Sequence, residues 1–136
     1  MILTEILAQI LDDVNVGIYD TNGDAGNIYT ETMPDTNNEF LICVYQYGGR
    51  QRELPQFGDT RHYSIQINVK HKSKYNAMVK INEIINAINY KEFVKNDVYL
   101  HDIDMNQEPN ILKIDNDGKS IATVNFSISC TIKNQK

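Results

Sequence analysis

The residues best suited to chemistry in this chain lie in a turn-rich segment whose spacing resembles a calcium-binding loop. Such loops place oxygen ligands at fixed positions and require glycine at position six for a sharp turn. Position six here is Ala25, and Gly26 comes one place too late. We therefore interpret the segment as a solvated turn, with a calcium-binding module as an alternative. The oxygen-bearing side chains at positions one, three, five and twelve are Asp20, Asn22, Asp24 and Glu31.

The histidines do not have the spacing of a catalytic or metal site. His62 and His71 bracket one predicted strand, whose length separates them by roughly 30 Å. His101 and Asp102 form the best acid–base pair, yet no second histidine or cysteine stands near them in the sequence. No serine lies in a nucleophile-elbow pattern, and no glycine-rich segment has a phosphate-binding pattern. The sequence therefore predicts no enzyme, no cofactor and no metal.

Length and composition favour one globular domain that spans residues 1–136. Hydrophobic residues make up 41% of the chain and charged residues 23%, with a formal net charge of -5. A chain of 136 residues buries enough surface to fold without a metal or a disulfide. Cys43 and Cys130 lie within apolar runs, which predicts small buried side chains; a disulfide between them stays open, since it depends on their Cα separation. The acidic balance and the dispersed lysines and arginines argue against a general nucleic-acid binder.

Membrane and secretion signals are also missing from the sequence. The longest apolar run is much shorter than the ~20 residues that cross a bilayer. The first residues lack the basic leader and the small-residue cleavage site of a secretion signal. We therefore expect a protein that is made in the cytoplasm and has no membrane partner.

Hydrophobic periodicity predicts two helices and several strands. Apolar side chains recur at a spacing of three and four in residues 2–14, and again from Ser73 to about residue 89. Residues 63–71 instead alternate between apolar and polar side chains, as expected for a strand with one face in a core. The predicted strands are 16–19, 40–47, 63–71, 97–105, 110–114 and 121–132.

This order of elements predicts an α+β fold. We expect a single antiparallel or mixed β-sheet of about five to six strands, with two helices packed on one face. The other face carries mainly Ser, Thr, Asn and Gln, whereas fully solvated sheets usually carry more Lys and Glu. Residues 40–47 are apolar on both sides, as in a strand that is central under a helix layer or buried at a subunit interface, and Tyr45 and Tyr47 stand at alternate positions. These two features favour a sheet face that contacts another subunit.

Two stretches of the chain carry a family resemblance. Residues 66–77 form a strand that leaves through basic residues into a helix, which begins around Ser73 and Tyr75 and continues to Ile85. Residues 114–119 form a hairpin turn that leads to the alternating residues 124–128. With these stretches in this order, the chain resembles phage minor capsid and tail-completion proteins. It is most similar to the tail-terminator family, which closes the head-proximal end of long-tailed phage tails.

The resemblance implies a structural virion assembly protein without an active site. Its subunit would join a six-membered ring that sits on the tail tube protein, stops tube growth and meets the head connector or head-closure protein. DNA would only pass through the ring, and the protein, made in the bacterial host cytoplasm, would end in the virion. A polar loop at residues 48–60 would reach into the ring lumen or the next subunit, unless it is an ordinary surface loop. The candidate assembly interface is Tyr45, Tyr47, Arg50, Arg52, Leu54, Phe57 and Arg61.

Two other functions remain open on the sequence alone. A head-closure or connector protein of the phage neck would share the same features and differ only in its neighbours. A non-catalytic module that binds calcium or a small ligand would use the turn from Asp20 to Glu31.

Overall fold

The computed structural model describes residues 3–20, 26–32, 40–47, 60–114 and 118–132. The described chain contains two helices and seven strands, and the strands form one mixed sheet in the order β1-β2-β3-β7-β5-β4, with β6 also paired to β7. This architecture confirms the prediction of an α+β fold. In chain order the elements are α1 (Leu3–Asp13), β1 (Ile28–Thr30), β2 (Phe40–Tyr47), β3 (Thr60–His71), α2 (Lys74–Ile88), β4 (Phe93–Lys95), β5 (Val98–Met105), β6 (Asn110–Ile114) and β7 (Ser120–Ile132).

Helix α1 ends in a Schellman motif that turns the chain back towards the core. Asn15 has a φ of 66°, a left-handed conformation that asparagine tolerates better than most residues. Its N–H donates to the carbonyl oxygen of Asp12, and the N–H of Val16 donates to that of Leu11, at 2.9 and 3.2 Å. Both bonds satisfy carbonyl groups that the helix end would otherwise leave unpaired. Val16 is thereby placed in the core.

Helix α2 begins at a serine cap, as the sequence predicts. Ser73 has an extended backbone, and its side-chain oxygen accepts a hydrogen bond from the N–H of Asn76 at 3.2 Å. The helix then buries one apolar stripe and exposes the residues between. Its buried residues are Ala77, Ile81, Ile84, Ile85 and Ile88.

Replacing the α2 cap should weaken the fold by a measurable amount. In Ser73→Ala the Asn76 N–H loses its acceptor, so we expect the free energy of unfolding to fall by about 1 kcal/mol. Urea denaturation followed by circular dichroism measures this loss. Ser73→Thr is the matched control, because threonine keeps the capping oxygen. An alanine variant as stable as the threonine variant would contradict the capping role.

The long strands β3 and β7 form the centre of the sheet. They pair antiparallel over twelve positions, from Thr60 with Thr131 to His71 with Ser120. Alternate residues of β3 are buried, including Ile65 and Ile67, and face the core as predicted. We call this side of the sheet the inner face and the opposite side the outer face.

Both helices contribute to the same core. The buried side chains of α1, α2 and the inner face belong to one hydrophobic cluster, in which Phe126 of β7 is the largest fully buried side chain. Membership of this cluster supports the idea that both helices cover the inner face, which stays a prediction. Neither described helix is long and apolar enough to cross a membrane.

The structure differs from the predicted elements at both edges of the sheet. Residues 16–19 form no strand, so that prediction is wrong; the edge strand is β1, which pairs in parallel with β2. Strand β4 was not predicted. It is joined to β5 by a two-residue turn in which Asn96 and Asp97 both have positive φ, at 52° and 67°. Such φ values are those of the tight turns that match the twist of a hairpin.

Candidate assembly interface

One part of the outer face is already covered within the chain. Leu41 and Cys43 of β2, Asn68 and Lys70 of β3, and Thr123 of β7 are all buried. In register, Cys43 stands beside Asn68, which stands beside Thr123. Because these side chains are shielded, this part of the sheet offers little surface to a partner.

The remaining part of the outer face is open and rich in uncharged hydrogen-bonding groups. Gln66 Nε2 donates to Asn125 Oδ1 across β3 and β7 at 3.1 Å. One register position further, Ser64 stands beside Ser127, whose hydroxyl donates to Asn106 Oδ1 at 2.8 Å. We call this region, with its flanking strands β2 and β5, the open face. The uncharged polar groups of β3 and β7 satisfy one another on the surface, so this part of the face can lose water at little cost.

Strand β5 adds carboxylates to the open face. The register between β5 and β7 shifts between Leu100 and Asp102, so a bulge at His101 changes which side chains point outward. Beyond the bulge, Asp102 stands beside Ser129 and Asp104 beside Ser127. Both aspartates are exposed.

The histidines of the open face act as ordinary hydrogen-bonding groups. His62 Nδ1 lies 2.6 Å from the hydroxyl of Ser129, and His101 Nε2 lies 3.1 Å from that of Thr131. His101 Nδ1 is 3.7 Å from the Asp102 carboxylate. Within the described residues, no group of three or more His, Cys, Asp or Glu side chains could hold a metal ion. We find in these contacts no arrangement of a nucleophile with its base and a third orienting group.

Tyr45 is held on the outer face by its neighbours on β2. It is half-buried and lies two residues after Cys43, whose thiol donates a hydrogen bond to the Thr32 carbonyl oxygen at 3.1 Å. Burial, followed by the interaction with the Cys43 thiol, raises the pKa of the Tyr45 hydroxyl. Burial also raises the pKa of the Cys43 thiol to about 11. Both groups are therefore neutral at physiological pH and serve for packing and hydrogen bonding.

The second cysteine is equally unsuited to chemistry. Cys130 is fully buried in the hydrophobic cluster, and burial raises its pKa to about 12. Since the thiolate is the nucleophile, a thiol of this kind is inert at neutral pH. Both cysteines are free, as small buried side chains.

The structure brings together only some of the predicted interface residues. Tyr47 is the last residue of β2 and pairs with Ser64. It follows Tyr45 by two residues, so the two positions share the same alternation of the strand. Arg61 lies in β3 and pairs with Cys130. By register this is an inner-face position, whereas Gln66 and Asn125 hold outer-face positions. The other four predicted residues lie outside the described residues: Arg50, Arg52, Leu54 and Phe57.

The turn that resembles a calcium loop is described only at its ends. The Glu31 carboxylate accepts a hydrogen bond from the backbone N–H of Gln46 at 3.2 Å, so it supports the edge of β2. Asp20 is half-buried, whereas Asn22 and Asp24 lie outside the described residues. Glu31 therefore stabilises the backbone of β2 by this hydrogen bond, a role that requires no cation.

Sequence reasoning found the uncharged part of the open face and missed its acidic part. The alternation of Ser, Asn and Gln in β3 and β7 was the signal that led to the uncharged part. The bulge at His101 interrupts the alternation in β5, so the shared face of Asp102 and Asp104 with β7 was not predicted. The alternate positions of Asp102 and Asp104 are the one feature of the sequence that indicates an acidic strand face.

Comparison with known proteins assigns this chain to a family. A family model described as "Bacteriophage tail terminator protein" matches residues 11–132, which is most of the chain. No curated protein matches the chain. The match spans α2 and every strand of the sheet, but it includes only the last three residues of α1. The chain therefore belongs to the bacteriophage tail terminator family and is a structural assembly protein of the phage tail.

Proposed function

We propose that this protein forms a ring of six copies at the head-proximal end of a phage tail. There it ends growth of the tube and joins the tail to the head. Its partners are other copies of itself, the tail tube protein and the head connector or head-closure protein, and DNA passes through the ring. Residues 1–136 act as one domain in this proposal, because one sheet and one hydrophobic cluster run through the described residues.

The observation that carries the proposal is the open face of the sheet, found in a chain that belongs to the tail terminator family. It combines Tyr45, hydrogen-bonded Gln66 and Asn125, and the exposed Ser127, and it lacks a convergent set of reactive groups among the described residues. Interfaces of this kind use aromatic side chains and satisfied polar groups for complementarity. We therefore propose that the protein acts by contact and carries out no catalysis.

A phage from which this gene is deleted provides the direct test. If the protein ends tube growth, tails made without it should lose their uniform length in electron micrographs, and heads should remain unattached. Supplying the intact protein from a plasmid should restore both. Labelled antibody should mark one end of purified headless tails. Uniform tails without the protein would refute termination, and label on tailless heads would instead support a neck connector.

The loop at residues 48–60 is proposed to contribute anchors to the ring. Phe57 and Leu54 would pack into the next subunit or the lumen, and Arg50 and Arg52 would meet acidic partners or passing DNA. Tyr45 and Tyr47 lead into this loop from β2, and Arg61 follows it in β3. All seven residues are proposed to contribute to one interface, Arg61 from a position in β3 of the opposite alternation to Gln66.

Replacing the proposed aromatic anchor should block assembly without unfolding the protein. We expect Phe57→Asp to keep the circular dichroism spectrum and the melting temperature of the parent. It should lower the yield of infectious particles by more than about tenfold, because losing a buried aromatic contact commonly costs that much affinity. Phe57→Leu is the control, since it keeps an apolar side chain. Normal particle yield from the aspartate variant would remove the loop from the interface.

A further inference from the structure

The connection between β3 and α2 carries a compact basic surface. Lys72 and Lys74 are exposed, and neither forms an ion pair or hydrogen bond within the described residues. Tyr75 beside them is 75% exposed, the second most exposed large hydrophobic side chain among those described. We call Lys72, Lys74 and Tyr75 the lysine turn.

One lysine of the lysine turn lies at the N-terminus of α2, where a positive charge is unfavourable. Lys74 is the first residue of α2, and the first turn of that helix contains no acidic residue. A helix N-terminus carries partial positive charge, so lysine is unfavourable there and aspartate or glutamate is favoured. The helix dipole therefore gives Lys74 no stabilising role, which is the situation expected of a residue that serves a contact.

The opposite end of the molecule carries exposed carboxylates. Asp102 and Asp104 project from β5 beside the uncharged Ser129 and Ser127, and Asp97 lies at the tip of the β4–β5 hairpin. Among the described residues, the only basic group within 4 Å of either β5 aspartate is His101, whose Nδ1 lies 3.7 Å from the Asp102 carboxylate. We call Asp97, Asp102 and Asp104 the acidic edge.

An exposed apolar side chain accompanies the acidic edge. Val94 of β4 is 61% exposed and pairs in register with Tyr99 of β5. The Tyr99 ring lies 5.2 Å from the His101 ring, and its hydroxyl donates to the Glu92 carboxylate. The acidic edge thus borders an apolar and aromatic spot, just as the lysine turn combines its two lysines with the exposed ring of Tyr75.

The two surfaces cannot meet within one copy. In register, Asp102 stands beside Ser129, which stands beside His62 near the start of β3. The lysine turn follows His71 at the other end of that strand. At about 3.3 Å per residue, the stretch of β3 from His62 to His71 puts Asp102 and the lysine turn roughly 30 Å apart. Surfaces of opposite charge at opposite ends of a subunit suit a head-to-tail contact, the kind that closes into rings.

We propose that the lysine turn of one copy docks on the acidic edge of the next copy around the ring. This inference rests on the proposed ring and adds the surface by which neighbouring copies recognise each other. Lys72 and Lys74 face Asp102 and Asp104 across the contact, and Tyr75 covers the spot at Val94 and Tyr99. The charges set the direction and register of the ring, and the aromatic contact excludes water from it.

Charge reversal tests the contact in the full chain. One variant carries Lys72→Glu with Lys74→Glu, and the other carries Asp102→Lys with Asp104→Lys. Each is supplied to the phage that lacks the gene, and infectious particles are counted. We expect each variant to lower the count by more than about tenfold, since like charges then face each other. Glu83→Lys on α2, a reversal outside both surfaces, should leave the count unchanged.

Rescue separates pairing of the two surfaces from other causes. The chain with all four substitutions should restore particles to within about threefold of the parent, because the charges face each other again with their signs exchanged. Supplying both reversal variants together should also restore them, since copies that alternate around an even-membered ring pair correctly. Melting temperatures of all variants show whether each is folded. If a reversal unfolds the chain, the neutral set of Asp102→Asn with Asp104→Asn takes its place, with a smaller loss expected.

Three results would overturn the inference. Both reversals could complement like the parent, or both could fail without rescue in combination. Failure of the lysine variant alone would indicate that the lysine turn meets DNA or the tube protein instead. Failure of the proposed function looks different, because tails made without any copy of the protein would then have their normal length.

Discussion

Ile67→Asp should leave the protein largely unfolded at room temperature. Ile67 is 0% exposed at the middle of β3, where it stands between Val44 of β2 and Val124 of β7 on the inner face. An aspartate there would place a carboxylate in the hydrophobic cluster without a cation beside it. Burying an unpaired polar or charged group costs several kcal/mol, and proteins of this size are stable by only about 5–15 kcal/mol.

The neighbouring residue provides a strict control for this substitution. Gln66 lies one position earlier on the open face, half-buried and bonded to Asn125. Gln66→Asp introduces the same charge into the same strand and should cost about 1 kcal/mol, the worth of the lost hydrogen bond. Urea denaturation of both variants measures the difference. Equal stabilities would mean that the two faces of β3 have been assigned the wrong way round.

The helices and the central strands could be predicted because their sequences repeat a structural period. In β3 the apolar residues Ile65, Ile67 and Val69 return every second position, and all are buried. In α2 the apolar residues return every third or fourth position behind the cap at Ser73. Such a pattern reports which side faces the core without any knowledge of the partner elements.

The edges of the sheet could not be predicted because tertiary contacts decide them. Residues 16–19 have β-prone side chains, yet the carbonyl oxygen of Ile18 accepts hydrogen bonds from Asn27 and Ile28, at 2.9 and 3.0 Å, outside any ladder. A Cβ added to Gly17 would lie 2.8 Å from the Ile28 side chain, so the chain passes too close for a larger residue. Sequence propensity alone does not contain this approach.

In the candidate interface, too, some positions follow from the local sequence pattern and others depend on the order of the strands in the sheet. The uncharged polar positions of β3 and β7 follow from alternation, and the structure pairs Gln66 with Asn125 as neighbours. The position of Asp102 and Asp104 beside them depends on the order β3-β7-β5 and on the bulge at His101. The order of strands brings together residues far apart in sequence, so no local pattern could reveal the acidic edge.

Phe126→Ala should cost about 3–5 kcal/mol of unfolding free energy. Phe126 is fully buried in β7 and stands in register between Ile65 of β3 and Met105 of β5. Removing its ring takes apolar surface out of the core and leaves a cavity, which the paired strands on either side can fill only in part. Because β7 pairs with three other strands, the loss should lower the stability of the whole sheet in one transition.

Ser127→Ala tests whether that cost arises from the core or from β7 in general. Ser127 is the next residue, exposed on the open face, and its hydroxyl bonds only to Asn106 among the described residues. We expect this variant to lose no more than about 0.5 kcal/mol, as is usual for surface substitutions. Urea midpoints for the two variants should therefore differ widely, with parallel slopes. If Phe126→Ala were as mild as Ser127→Ala, the inner face of β7 would not be the packed centre of this fold, and the assignment of the open face to assembly would lose its structural basis.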